Sequence, residues 1–200
     1  MNFLAHLYLS GDDPKLMVGN FIGDFVKGKN ALESFEPDII RGIELHRGID
    51  AFTDKHPIVA ESKNRLREKY RHYSGVIVDV FYDHFLAKNW SNYHHQPLLD
   101  FSLHAYRTID SFDSILPSDV KHMLPYMKRG NWLVGYAFVE GIHRSLSGMA
   151  SRTTFISNME QASSELVTYY DDFQKEFQEF FPQLNAYCVN KIQEWNQART

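Results

Sequence analysis

Two hundred residues with 44% hydrophobic content suffice for one sizeable core, so a single domain over residues 1–200 is expected. The 15 Phe, 11 Tyr and 3 Trp argue against disorder, and a formal charge of −4 from 21 basic and 25 acidic residues implies no global attraction to nucleic acid. Cys188 is the sole cysteine, which excludes an internal disulfide and fits a reducing compartment. The apolar start from Met1 to Leu9 is short, lacks a basic leader and carries His6, so it does not read as a secretory signal. No run approaches the roughly 18 apolar residues that span a bilayer. A soluble cytoplasmic protein with no membrane partner is expected.

Helix dominates the pattern. A first short helix covers about Asn2 to Leu9 and ends at Ser10-Gly11-Asp12-Asp13-Pro14, a turn with helix-start chemistry. An apolar-periodic stretch from Lys15 to Val26 is closed by Lys27-Gly28-Lys29-Asn30. Phe35-Glu36-Pro37-Asp38 opens a longer helix through Ile39, Ile43, His46, Ile49 and Asp50, in which the 3.6-residue period persists over three turns. Lys55-His56-Pro57 interrupts it, because proline disfavours helix at the residue before it.

Helix is predicted again from Ile58 to Tyr73, with a break at Ser74-Gly75. Val76 to Trp90 starts β-branched, yet the apolar run continues without alternation, which predicts a helix and not a strand. The polar Ser91 to Gln96 reads as a loop, Leu98 to Ile115 as a helix, and Leu116-Pro117-Ser118-Asp119 starts the next. A helix from about Asn131 to Val139 and a segment from Gly141 to Ala150 follow. Leu166 to Phe181 looks like one long helix stopped by Pro182, with a final helix from about Gln183 to Trp195. The expected fold is all-α and compact, with a buried polar site.

Polar residues interrupt the apolar faces at His6, Asp24, His46, Asp50, Asp54, Asp79, Asp83 and His84. Residues four apart on a helix lie about 40° apart around its axis, so His46, Asp50 and Asp54 form one stripe. Taken singly, a histidine in an apolar run reads as a satisfied core residue, and an aspartate as a cap or ion-pair partner. Together, four apolar segments each supply a residue of ligand type, and no competing cysteine set, Gly-rich loop or nucleophile motif is present. An inward stripe of His and Asp is costly unless a metal or a hydrogen-bonded partner satisfies it. Divalent cations take mixed nitrogen and oxygen ligands of this kind. Asp79, one turn before Asp83, is placed to orient a ligating histidine. Glycines at 19 and 23 are poor helix formers and suggest close approach of another backbone or a ligand.

Met1-Asn2-Phe3-Leu4-Ala5-His6-Leu7, the segment Val18 to Val26 around Gly19-Asn20-Phe21-Ile22-Gly23-Asp24, His46-Arg47 with Asp50, Thr53-Asp54, Asp83-His84-Phe85-Leu86 and Gly148-Met149-Ala150-Ser151-Arg152 resemble, in order, the bacterial acyl carrier protein phosphodiesterases. The resemblance covers nearly the whole chain. It implies an all-helical, permuted relative of the HD-domain metal phosphohydrolases that depends on a divalent cation, typically manganese (Mn2+). One departure from an ordinary HD domain is the order Asp83-His84. The implied reaction is hydrolysis of 4′-phosphopantetheine from holo acyl carrier protein to give the apo protein. His46, Asp50, Asp83 and His84 are then expected as metal ligands, Asp24 as ligand or general base, Arg47 as a phosphate contact and His6 as proton donor to the leaving oxygen. Asp54 and Asp79 are expected behind the ligands.

Lys63, Arg65, Arg67, Lys69 and Arg71 form a basic stretch in an acidic chain. By itself this reads as a solvated helix face; since acyl carrier proteins are acidic, the resemblance makes it the expected partner-binding face, with Lys121, Lys128 and Arg129 as the alternative. Nucleic acid is a poor partner, because few aromatics interleave the basic residues. The competing readings are an HD-like hydrolase of a nucleotide or other small phosphoester, a helical protein that holds a ligand or metal without chemistry, and a structural bundle assembled through its aromatic C-terminal half.

Overall fold

The computed structural model describes residues 1–28 and 30–198; Lys29, Arg199 and Thr200 lie outside the described residues, and with Lys29 one position of the expected 27–30 break. Eleven α-helices occur among the described residues, with no strand: α1 (Phe3–Tyr8), α2 (Pro14–Ile22), α3 (Pro37–Lys55), α4 (Pro57–Tyr70), α5 (Ser74–Lys88), α6 (Leu98–Ser111), α7 (Ser118–Gly130), α8 (Trp132–Gly135), α9 (Val139–Ala150), α10 (Ser163–Thr168) and α11 (Tyr170–Gln197). The all-α expectation holds. No helix among the described residues is long and apolar enough to cross a membrane.

Local chemistry sets the boundaries nearest the polar site. Asp13 caps α2 by accepting from the amides of Lys15 and Leu16, with Pro14 at the first helical position. Helix α3 ends at His56, whose extended ψ of 130° is what the following Pro57 requires. The β-branched start at Val76 is helical in α5, and that helix is apolar nearly all round because it is buried nearly all round. It packs against α1, α4, α9 and α11. Phe81 and Phe85 of α5 meet Phe173 and Phe177 of α11 edge-on or stacked. Each fully buried ring stabilises the fold by about 2–3 kcal/mol.

Several boundaries differ from the sequence reading. The helix expected up to Ile115 stops at Ser111, where Phe112 leaves helical geometry (φ −108°, ψ 22°). The stretch expected to be helical from Asn131 to Val139 forms only the single turn of α8 before α9 begins. Tyr169 (φ −113°, ψ 32°) separates α10 from α11, so Leu166 and Phe181 do not share one helix. Pro182 does not stop α11, which runs through it to Gln197. The carbonyl that loses its partner belongs to Gln178, an exposed residue. Buried Phe180, Phe181, Leu184 and Cys188 hold both sides of the proline to the core.

Candidate metal centre

The polar site lies where α1, α2 and α3 meet. Helices α2 and α3 touch backbone to backbone: a Cβ on Gly19 would sit 2.2 Å from the Ile39 carbonyl oxygen, and one on Gly42 would sit 2.5 Å from that of Leu16. Just beyond, α2 tightens into a 3-10 turn at Gly23–Phe25. The space left by the missing Gly23 side chain is filled by the His46 ring, whose Cγ would be 2.3 Å from a Cβ there. His46 Nδ1 lies 2.8 Å from the Asn20 carbonyl oxygen. His6, brought by α1, stacks on His46 with ring centroids 4.1 Å apart and planes 19° apart.

Asp50, one turn beyond His46, divides its carboxylate between the two rings. Its Oδ1 is 3.3 Å from His6 Nε2 and its Oδ2 3.2 Å from His46 Nε2. Asp24 places Oδ1 3.2 Å from the same His46 nitrogen, and its side chain, 71% exposed, forms the open side of the site. The Met1 amino group lies 3.1 Å from Asp79 and 3.4 Å from Asp50.

Charge and burial pull these groups apart in pKa. Burial lowers His6, against the raising effect of Asp50. Burial also acts to lower His46, but Asp24 and Asp50 outweigh it and hold that imidazole at about 9. Burial acts to raise Asp50, yet the two histidines drive it well below the usual carboxylate range. Asp24 is lowered chiefly by His46. The pattern is that of acceptor oxygens surrounding a place where positive charge is stabilised.

A donor set of this kind fits a divalent cation. One ligand atom from each of His6, His46 and Asp50 falls within 4.8 Å of the others. His46 Nε2 is buried and makes no hydrogen bond, although two carboxylate oxygens stand 3.2 Å away. Buried polar atoms are rarely left in that condition, and a cation bound between the nitrogen and the carboxylates would satisfy all of them.

Not every expected residue is gathered here. Asp83 is turned to α1, where its oxygens accept from the amides of Leu4 and Ala5 at 2.8 and 3.0 Å. Burial raises its carboxyl to about 7, against those two donors. His84 lies 2.8 Å from the Tyr136 carbonyl oxygen through Nδ1 and 3.1 Å from the Tyr170 hydroxyl through Nε2, so both ring nitrogens are engaged away from the triad. Asp79 faces the Met1 amine, and Asp54 pairs with Lys63 Nζ at 2.6 Å. Arg47 is exposed and donates to the Val26 carbonyl at 3.2 Å.

The basic stretch is partly neutralised within the fold. Lys63 pairs with Asp54, Lys69 with Glu165 at 2.9 Å, and Arg65 grips buried Glu176 with two nitrogens at 2.7 and 2.8 Å. Arg67 and Arg71 are exposed and make no ion pair among the described residues. Asn20, not singled out above, is fully buried and touches both histidines. Its sequence signal was a lone amide on the apolar face of α2.

The sequence matches the family described as "Acyl carrier protein phosphodiesterase" over residues 1–184. Among curated relatives, the acyl carrier protein phosphodiesterases of Escherichia coli O139:H28 (strain E24377A / ETEC) and O9:H4 (strain HS) are each 34% identical over 192 residues, covering 96% of this chain and 99% of the relative. The Escherichia coli K12 / DH10B protein of the same name has the same identity and coverage. No solved structure matches the chain.

Proposed function

The chain belongs to the acyl carrier protein phosphodiesterase family, and from that premise we propose that it hydrolyses the phosphodiester linking 4′-phosphopantetheine to a serine of holo acyl carrier protein, leaving the apo protein. The observation that carries a metal-assisted route is the buried His46 Nε2, which has no hydrogen-bond partner and faces Asp24 and Asp50 beside His6. The His/Asp donor set supports the kinship with HD-domain metal phosphohydrolases, and manganese is the proposed ion, in keeping with mixed nitrogen and oxygen ligation. When bound, such an ion would lower the pKa of a coordinated water and polarise the phosphoryl oxygens.

The residues divide the remaining work. His6, His46 and Asp50 would hold the ion, with Asp24 closing the exposed side. His6 is only 3% exposed and is enclosed by Met1 and Asp50, which suits ion holding better than proton donation to a departing oxygen. Asp24 stays ionised because His46 lowers it, so its free oxygen can accept a hydrogen bond from the attacking water and orient it. Arg47 spends one N–H on the Val26 carbonyl and keeps others for the phosphate. Asp83 and His84 serve the site indirectly by holding α1 and the Tyr136 and Tyr170 region in place. The proposed setting is a cytoplasmic single-domain enzyme acting on a soluble acidic protein.

The test is incubation of metal-stripped protein with holo acyl carrier protein, with and without manganese, followed by the carrier's mass. Manganese-dependent loss of the phosphopantetheine mass, abolished by His46→Ala without loss of helix content, is the expected result. A folded protein that binds manganese yet leaves the carrier's mass unchanged would overturn the substrate assignment. Equal loss with and without metal would overturn the metal-assisted route.

A further inference from the structure

The two histidines of the triad come from different helices, yet their orientations converge on one residue. The Asn20 side chain has its Nδ2 within 2.7 Å of the His6 carbonyl oxygen and 2.9 Å of Ser10 Oγ. Ser10 Oγ gives its own hydrogen to the same His6 carbonyl at 2.8 Å, so it meets Asn20 as an acceptor. Two acceptors around one atom identify it as the amide nitrogen and fix the amide's orientation. Oδ1 is thereby turned to His6 Nδ1 at 2.7 Å, and since Oδ1 cannot donate, Nδ1 must carry the hydrogen.

The backbone of the same residue does the equivalent for His46. Near the C-terminal end of a helix, carbonyls lose their usual i+4 partners. Here α2 tightens at Gly23, whose N–H takes one lone pair of the Asn20 carbonyl and leaves the other free. His46 Nδ1 fills that place at 2.8 Å and, facing a carbonyl, must also carry a hydrogen. Both Nδ1 atoms point to Asn20, and both Nε2 atoms point to Asp50. His6 Nε2 lies 3.1 Å from the Met1 carbonyl oxygen and 3.3 Å from Asp50 Oδ1.

We propose that Asn20 is the positioning residue of the centre: its side chain and its carbonyl take the Nδ1 hydrogens of His6 and His46, so that both Nε2 atoms are presented to one divalent cation beside Asp50. This rests on the metal reading above and adds to it the device that pre-organises the ligands. A group that fixes the ring orientation and hydrogen placement of ligating histidines tunes affinity as strongly as many direct contacts do. The device is asymmetric. Removing the amide frees His6 alone, because the His46 partner is main chain and survives any substitution.

The asymmetry supplies a test that simple loss of packing would not mimic. In metal-free wild-type protein, nitrogen NMR of the labelled imidazoles should show hydrogen on Nδ1 of both rings, protected from exchange. In Asn20→Leu, the His6 Nδ1 hydrogen should lose protection or move to Nε2, while His46 keeps its own. Calorimetric titration with manganese should show affinity down by roughly 10–100-fold. Asn20→Asp keeps the acceptor and should retain the His6 Nδ1 hydrogen, but it loses the donor to the His6 carbonyl and Ser10 Oγ and should recover the affinity only in part. A wild-type His6 protonated only on Nε2 overturns the proposal without recourse to any variant. So does an Asn20→Leu protein that binds manganese as tightly as wild type. Wild-type protein that binds no manganese overturns the underlying metal reading instead.

Discussion

At Gly23 a Cβ would lie 2.3 Å from Cγ and 2.6 Å from Cβ of His46, so the seat of that ring is space that any other residue would fill. The clash is with the root of a side chain that is itself fixed by a hydrogen bond to the Asn20 carbonyl, and neither atom can give way cheaply. Gly23→Ala should therefore expel the ring from its place between Asp24 and Asp50. The expected cost to folding is modest, about 1–3 kcal/mol as for other overpacked sites. The expected cost to manganese affinity is larger in effect, about tenfold or more, because ligand orientation is lost. Calorimetric titration alongside thermal unfolding separates the two. Unchanged affinity in Gly23→Ala would remove His46 from the ion-holding group. The role of this glycine was legible from sequence as an unfavourable residue in an apolar helical run; what approached it was not.

Among the elements, α11 shows how far periodicity carries and where it stops. Helices α1 to α5 fall near the expected segments because their apolar residues recur at helical spacing or run on without alternation. Even so, α2 stops at Ile22 and not Val26, α4 at Tyr70 and not Tyr73, and α5 begins at Ser74, inside the expected break. Pro182 carries a stop signal, yet α11 continues through it. Whether a proline ends a helix depends on what holds the flanking turns, here four large or sulfur-bearing side chains in the core, and on whether water reaches the abandoned carbonyl. Neither is a local property of the sequence. Because the fold tolerates the proline and does not use it as a boundary, Pro182→Ala should restore the bond to the Gln178 carbonyl and stabilise the protein by about 1–3 kcal/mol. Thermal unfolding would read this as a rise of several degrees for a chain of this size. A lowered midpoint would mean that the proline sets a bend on which the packing of Phe180 and Phe181 depends.

For the whole molecule, the site was legible where the signal was spacing on one helix and hidden where it depended on which helix faces which. His46 and Asp50 share a stripe of α3, and the structure brings His6 and Asp24 to that stripe. Asp83 and His84 have the same residue types, but the buried amides at the start of α1 occupy one, and Tyr136 and Tyr170 the other. The basic stretch of α4 divides in the same way. Arg65 is held by Glu176, itself bonded to Ser62, so its charge belongs to the junction of α4 and α11. Arg67 and Arg71 stay exposed and free of ion pairs among the described residues, Arg71 just past the end of α4 with φ 52°, while Lys63, one turn before Arg67, reaches Asp54, one turn beyond Asp50. Exposed positive charge free of ion pairs supports a docking face here for an acidic carrier protein. Reversing Arg67 and Arg71 to glutamate should raise KM for holo acyl carrier protein about tenfold at low ionic strength, with little change in kcat. The difference should shrink as salt shortens the Debye length towards a few ångströms. Arg65→Glu should instead lower the unfolding midpoint, because it leaves Glu176 buried beside a like charge. A KM that ignores both Arg67 and Arg71 at low salt would move the docking face to Lys121, Lys128 and Arg129. Two of those three already face aspartates, Lys121 on Asp113 and Lys128 on Asp110, so Arg67 and Arg71 offer the less encumbered charge.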